Sequence, residues 1–184
     1  MSDPIAELVT VLGLEAPMGP VRVFDWDAVE ARLGTRLPDD YKYLVSYYPD
    51  LELWEFIWVI PPESDDPEGT YDLAAKHAAF TRWMDQIMED PHEPEDFPYP
   101  VYDGESGILC WGMTPNGDEC AWYVSGNDPN AWDAVIVADK GDEWFRYPGG
   151  ITGIARGLKY DRAAITVFPE DWPEDDGQTM LPTV

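Results

Sequence analysis

The sequence predicts an α+β fold, with N-terminal helices packed on one twisted, mostly antiparallel sheet centred on a β-hairpin meander. Three observations predict it. Residues 108–124 form two alternating runs joined by Pro115-Asn116-Gly117-Asp118, and Asn-Gly between alternating runs is a strong hairpin signal. Residues 3–48 carry apolar positions at helical spacing between capping residues and glycines. Residues 132–147 hold two more short β-branched and aromatic runs, separated by Asp139-Lys140-Gly141-Asp142, which extend the hairpin into a meander.

Taken in order, Asp3-Pro4 opens a first helix, Ile5, Leu8, Val9 and Leu12 form its stripe, and Gly13 closes it. Asp25 caps a second helix containing Trp26, Val29 and Leu33, and Gly34 ends it. Leu37-Pro38-Asp39-Asp40-Tyr41-Lys42 begins a third, with carboxylates in the first turn where the helix dipole favours them. Tyr41, Leu44, Val45 and Tyr48 line its apolar face, and Pro49 stops it. Leu53 to Ile60 is aromatic and β-branched, as suits a strand buried on both faces, and Pro61-Pro62 terminates it. After an acidic loop, Thr70 is placed to cap a fourth helix with the stripe Leu73, His77, Phe80, Met84 and Ile87. A proline-punctuated acidic segment, 89–98, then leads to the hairpin.

In the hairpin, a loop of Asn-Gly or of Pro-Asn-Gly-Asp gives the same register. Thr114 faces Glu119, Met113 faces Cys120, and Trp111 faces Trp122. Leu109, Trp111, Met113, Cys120, Trp122 and Val124 then form one apolar stripe against a core. The other face carries Ile108, Cys110, Gly112, Thr114, Glu119, Ala121, Tyr123 and Ser125, a mixed surface. Cys110 and Cys120 project from opposite faces, so no disulfide is expected between them. A short helix around Ile151, Ile154, Ala155 and Leu158 follows the last strand. Residues 161–184 form a tail whose Ile165, Val167, Phe168 and Trp172 lie on the body while the last few residues fray.

The 184 residues suggest a single domain, residues 1–184, with enough chain for a sizeable core. Eleven Lys and Arg against 37 Asp and Glu give a net charge of −26, which repels nucleic acid and anionic membranes and leaves cations, basic proteins or no partner at all, since an acidic surface is also simply a soluble one. No signal peptide and no run long enough to span a bilayer are visible, so a soluble cytoplasmic protein with free thiols is expected.

Together these elements resemble the SUKH superfamily of bacterial immunity proteins and a yeast cell-wall-synthesis regulator. The resemblance rests on Trp26 through Leu33-Gly34, Leu37-Pro38-Asp39-Asp40-Tyr41-Lys42, Trp111-Gly112, Asn116-Gly117-Asp118 and Trp122, with Trp144 and the helix near Ile154 in the expected places. It runs from Asp25 to about Leu158, leaving residues 1–24 as a helical extension and 161–184 as the tail. It implies an α+β fold and a non-enzymatic role, binding and neutralising a toxin delivered between bacteria. It brings no shared catalytic residues.

Residue chemistry leads the same way. Among 37 carboxylates chance pairs are inevitable, so no acid–base pair is assigned. Ser64-x-Asp66-x-Glu68-Gly69 imitates the start of an EF-hand loop, but the bidentate position falls on Ala75. His77 reads as a hydrogen-bonded core residue, and His92 has no second histidine nearby for zinc. No phosphate-binding glycine loop or nucleophile triad is present, and neither metal nor cofactor is expected. The candidate recognition residues are Asp65, Asp66, Glu68, Asp72, Glu93, Glu95 and Asp96 in the acidic loops, which imitate a polyanion for a basic toxin such as a nuclease. Glu119 and Tyr123 on the mixed sheet face complete the set. The competing class is an intracellular scaffold or regulator of the same fold, and an enzyme stands third.

Overall fold

A computed structural model describes residues 4–14, 20–48, 51–64, 71–88, 97–139, 141, 143–169 and 172. Among them six strands form one antiparallel sheet in chain order. They are β1 (Glu52–Leu53), β2 (Ile57–Val59), β3 (Gly107–Met113), β4 (Glu119–Val124), β5 (Asp133–Val137) and β6 (Trp144–Tyr147). The helices are α1 (Pro4–Leu12), α2 (Trp26–Leu33), α3 (Asp39–Tyr47), α4 (Leu73–Met88) and α5 (Gly150–Tyr160). The α+β architecture follows the sequence expectation.

The hairpin register differs from expectation. The Thr114 amide donates to the Asp118 carbonyl at 3.0 Å, and the Gly117 amide to the Thr114 carbonyl at 3.1 Å. The loop is therefore Pro115-Asn116-Gly117, with Gly117 left-handed at φ 95°, a turn followed by a glycine bulge. The pairs are Met113 with Glu119, Gly112 with Cys120, Cys110 with Ala121, and Leu109 with Trp122, leaving Trp111 as an extra residue. Each irregularity slips the register by one, and two slips restore the parity of faces. Leu109, Trp111, Cys120, Trp122 and Val124 thus share the core face as expected, and Trp111 still meets Trp122 with ring centroids 6.2 Å apart. Gly112 is required because a Cβ there would lie 2.7 Å from the Trp58 carbonyl oxygen of β2.

Two further expectations are corrected. Leu53 to Ile60 is not one strand. Trp54 and Glu55 take φ of 52° and 55° and reverse the chain between β1 and β2, a turn written without the usual Gly or Asn. The cap of α4 is Asp72, whose Oδ1 accepts from the Ala75 amide at 2.8 Å; Thr70 lies outside the described residues.

The core face of the sheet packs with residues of α1, α2, α3 and α5 around the fully buried Trp111, Trp122 and Trp132. The opposite face is not the mixed open surface that the sequence suggested. Phe80 and Met84 of α4 cover Ile108, Cys110, Ala121, Val135 and Val137 there, so β3 is buried on both sides. The two thiols are free and sit in different clusters. Ile165 and Phe168 of the tail are buried. Arg162 binds the carbonyls of Ile165, Phe168, Pro169 and Trp172, and the Trp172 indole donates to the Trp54 carbonyl. The expected fraying of the last residues falls outside the described ones.

Candidate protein-binding face

The residues behind the resemblance hold the scaffold together. Asp25 accepts from the Ala28 amide at 3.1 Å, and Gly34 closes α2 in the left-handed conformation. Pro38 starts α3 from an extended conformation. Asp40 reaches across to the first turn of α5, where its Oδ2 accepts from the Thr152 amide at 3.0 Å and hydroxyl at 2.8 Å. Burial pushes the Asp40 carboxyl above its usual range, against the pull of these hydrogen bonds. The Tyr41 hydroxyl donates to the Ile60 carbonyl at 2.7 Å, and its ring meets Trp122 edge-on at 5.2 Å. Thr114 and Asp118 close the hairpin loop through their side chains at 2.7 Å.

Beside the residues that α4 covers, and packed against them, the second sheet face carries a different kind of cluster. Pairing sets Tyr123 of β4 opposite Asp133 of β5, and Val135 opposite Arg146 of β6. The Arg146 Nε and Nη2 both lie 2.7 Å from Asp133 Oδ2. Its guanidinium carbon stands 4.5 Å from the centre of the Tyr123 ring and 5.7 Å from that of Tyr99. Tyr99 and Tyr123 are 5.0 Å apart, and Tyr99 and Phe97 each lie 6.0 Å from Trp144. Phe97, Tyr99, Tyr123 and Trp144 are half-buried and Arg146 is exposed. A stacked, charge-paired arginine among tyrosines loses little freedom on docking, and Arg, Tyr and Trp dominate interface energetics.

Of the residues proposed from sequence, Tyr123 lies in this cluster. Glu119 lies on the same face, but it is an internal residue: Lys76 of α4 pairs with it at 2.6 Å, with both side chains about one-seventh exposed. Burial raises the Glu119 carboxyl and the Lys76 charge opposes that shift. Asp72 is also internal, buried as the α4 cap and paired with Arg32 at 3.0 Å. Asp65, Asp66, Glu68, Glu93, Glu95 and Asp96 lie outside the described residues. Tyr99, Asp133, Trp144 and Arg146 were missed from sequence. The alternation of 133–137 and 144–147 was available as a signal, but only cross-strand register aligns it with Tyr123.

Other chemistry is confined. Burial lifts the Cys110 and Cys120 thiols well above their usual range, which keeps them protonated and poor nucleophiles. His77 Nε2 donates to the Tyr102 carbonyl at 3.0 Å, so the imidazole is a hydrogen-bonded structural residue. A cleft of about 160 Å³ between Asp40, Trp132, Thr152 and Arg156 is smaller than a typical small-molecule site, and the Glu7–Arg156 ion pair at 2.9 Å lies along it. A second, open and polar cleft of about 400 Å³ lies between the turns at Gly34, Gly104 and Gly126. Among the described residues no three His, Cys, Asp or Glu side chains gather so as to hold a metal ion, and no helix is long and apolar enough to cross a membrane. No protein-family model, curated protein or solved structure matches the chain.

Proposed function

We propose that this chain is a non-enzymatic, SUKH-like immunity protein that acts in the cytoplasm, binding a basic toxin domain through surface complementarity and neutralising it. The observation that carries the reading is the Tyr99–Tyr123–Arg146–Asp133 cluster, a rigid docking patch on the surface of a chain with a net charge of −26. The polar residues behind the resemblance, Asp40 and Asp118 among them, are engaged in caps and turns, as fits a scaffold that presents a surface. The charge steers a basic partner at long range and the patch anchors it at short range. A nuclease domain, which carries a basic cleft, is the toxin class that matches this polarity.

The test is stopped-flow association with a purified toxin domain encoded beside this gene, over a salt series. Neutralising Asp65 and Asp66 to Asn and Glu68 to Gln is expected to leave folding intact and slow association severalfold at low salt, with a flatter salt dependence. Arg146→Ala is expected to act chiefly on dissociation. Absence of binding by the wild type would refute the toxin-binding role. Identical salt slopes for wild type and triple variant would remove the acidic loop from the interface.

A further inference from the structure

The sheet has two open ends of different character. At one end β1 is two residues long, follows the buried Leu51, and is backed by the tail through the Trp172–Trp54 hydrogen bond. Short edges of this kind resist pairing with another chain. At the other end β6 runs four residues in unbroken register with β5, from Val137 opposite Trp144 to Ala134 opposite Tyr147. It contains no proline or bulge, and the charge of its Arg146 is paired with Asp133 of the neighbouring strand. Among the described residues no strand pairs with its outer side.

The direction of its backbone groups follows from the turn. The Ala138 amide donates to the Glu143 carbonyl at 3.0 Å, in the same register as the β5–β6 ladder, so this is a hydrogen-bonded pair. In an antiparallel ladder such pairs alternate with non-bonded ones. Ile136 with Phe145 and Ala134 with Tyr147 are therefore bonded pairs. Trp144 and Arg146 point their N–H and C=O groups away from β5. The edge is flanked on one face by Phe145 stacked on Tyr147, with ring centroids 6.2 Å apart, and on the other by Trp144 and the charge-paired Arg146.

We propose that the outer edge of β6 is a strand-addition site for an extended, basic segment of a partner protein. This rests on the protein-binding reading above and specifies how the partner docks. Backbone hydrogen bonds to Trp144 and Arg146 supply the ladder, and aromatic side chains on both faces supply cross-strand neighbours for β-branched or aromatic residues. Charge selects the occupant. Asp133 neutralises the Arg146 guanidinium, Asp139 and Glu143 are exposed at the turn, and the whole chain is at −26. A second copy of the chain would bring like charge against like along the edge.

The probe is the capped peptide Lys-Val-Lys-Val-Thr-Val-Lys, and the readout is amide hydrogen exchange of the full chain by NMR. Peptide is expected to slow exchange at Trp144 and Arg146 by roughly tenfold or more while leaving Phe145 and Tyr147, already bonded to β5, unchanged. The same peptide with Glu for Lys, or with Pro at alternate Val positions, is expected to protect neither amide. Arg146→Ala loses the guanidinium but keeps the outward N–H and is expected to retain the peptide, whereas Arg146→Pro loses that donor as well, a change edge strands tolerate, and is expected to bind the peptide roughly tenfold more weakly than Arg146→Ala. Unchanged exchange at Trp144 and Arg146 with saturating peptide would overturn the proposal. So would equal binding of the proline peptide, or protection of the same amides by raising the chain's own concentration without peptide. A toxin that binds Arg146→Ala and Arg146→Pro alike sinks strand addition alone, whereas absence of toxin binding by the wild type sinks the functional reading.

Discussion

On one face of the sheet four helices gather around Trp111, Trp122 and Trp132, each no more than 1% exposed. On the other, α4 and the 97–101 segment cover the middle and leave Tyr123, Trp144 and Arg146 in contact with water. The first face tolerates defects: the indole nitrogens of Trp111 and Trp122 are buried among the described residues without a hydrogen-bond partner, a cost of about 1–3 kcal/mol each that packing must outweigh. The second face is less buried and mixed in this respect: Arg146 makes two bonds to Asp133, while Glu119 Oε2 and the His77 Nδ1 of α4 are buried without a hydrogen-bond partner among the described residues. Stability is concentrated on one side, which leaves the other free to present side chains selected for recognition.

The sharpest way to break this comparison uses two consecutive residues of β4. Trp122 faces the core, and truncating it to Ala should cost about 3–5 kcal/mol, the range for a fully buried aromatic. Tyr123 faces the other way, half-exposed, and Tyr123→Ala should cost about 1 kcal/mol, the scale of its aromatic and cation–π contacts. Urea unfolding of both variants measures the difference. Equal costs would make the second face a core and remove its claim to be an interface.

Parts of this asymmetry were legible in the sequence and parts were not. The α2 boundaries were readable because a capping Asp and a terminal Gly act locally. The hairpin was readable from Asn-Gly, but its register was not. The glycine bulge after the turn and the extra residue at Trp111 each depend on tertiary fit, including the approach of the Trp58 carbonyl to Gly112. The two slips cancel in parity, so the face assignment survived a wrong register. The Trp54-Glu55 turn was hidden because no residue type there favours positive φ. Glu119 and Asp72 were read as recognition charges because sequence does not show the partners that the fold gives them, Lys76 and Arg32. The Arg146 cluster draws on three strands and the 97–99 segment, a set that only the fold assembles.

A smaller effect tests the joints of the core side. Asp40 links α3 to α5 through two bonds to Thr152, and Asp40→Ala would strand a buried amide and hydroxyl. The expected cost is about 1–3 kcal/mol, read by thermal or chemical unfolding. Thr152→Ala, which removes the hydroxyl but keeps the backbone bond to Asp40, should cost less. If it costs as much as Asp40→Ala, the carboxylate is not acting as the trans cap of α5.

The smallest effect sets Asp40 of the core side against His77 of the α4 side by the sign of their response to pH. On the core side burial raises the Asp40 carboxyl, so its contribution to stability is fully present below the unfolded value, 3.8, and is lost as pH rises through the folded value. On the α4 side burial lowers the His77 imidazole, while the bond to the Tyr102 carbonyl opposes the shift. Its contribution is present above the unfolded value, 6.5, and is lost as pH falls toward and through the folded one. The geometry gives the same sign. Nε2 already donates to Tyr102, and Nδ1 is buried with no partner among the described residues, so a proton added there gains no acceptor. Glu119, raised by burial, follows Asp40 rather than His77. Urea midpoints of the wild type should therefore carry a destabilising contribution from His77 as pH is lowered from 7.5 to about 5.5, the window just around the ordinary imidazole value. His77→Gln, which keeps a donor for Tyr102 but cannot take up the proton, should lose that contribution and show a flatter or reversed trend. Parallel trends in wild type and variant would mean that His77 protonates without strain, and that the α4 layer is hydrated more freely than its packing indicates.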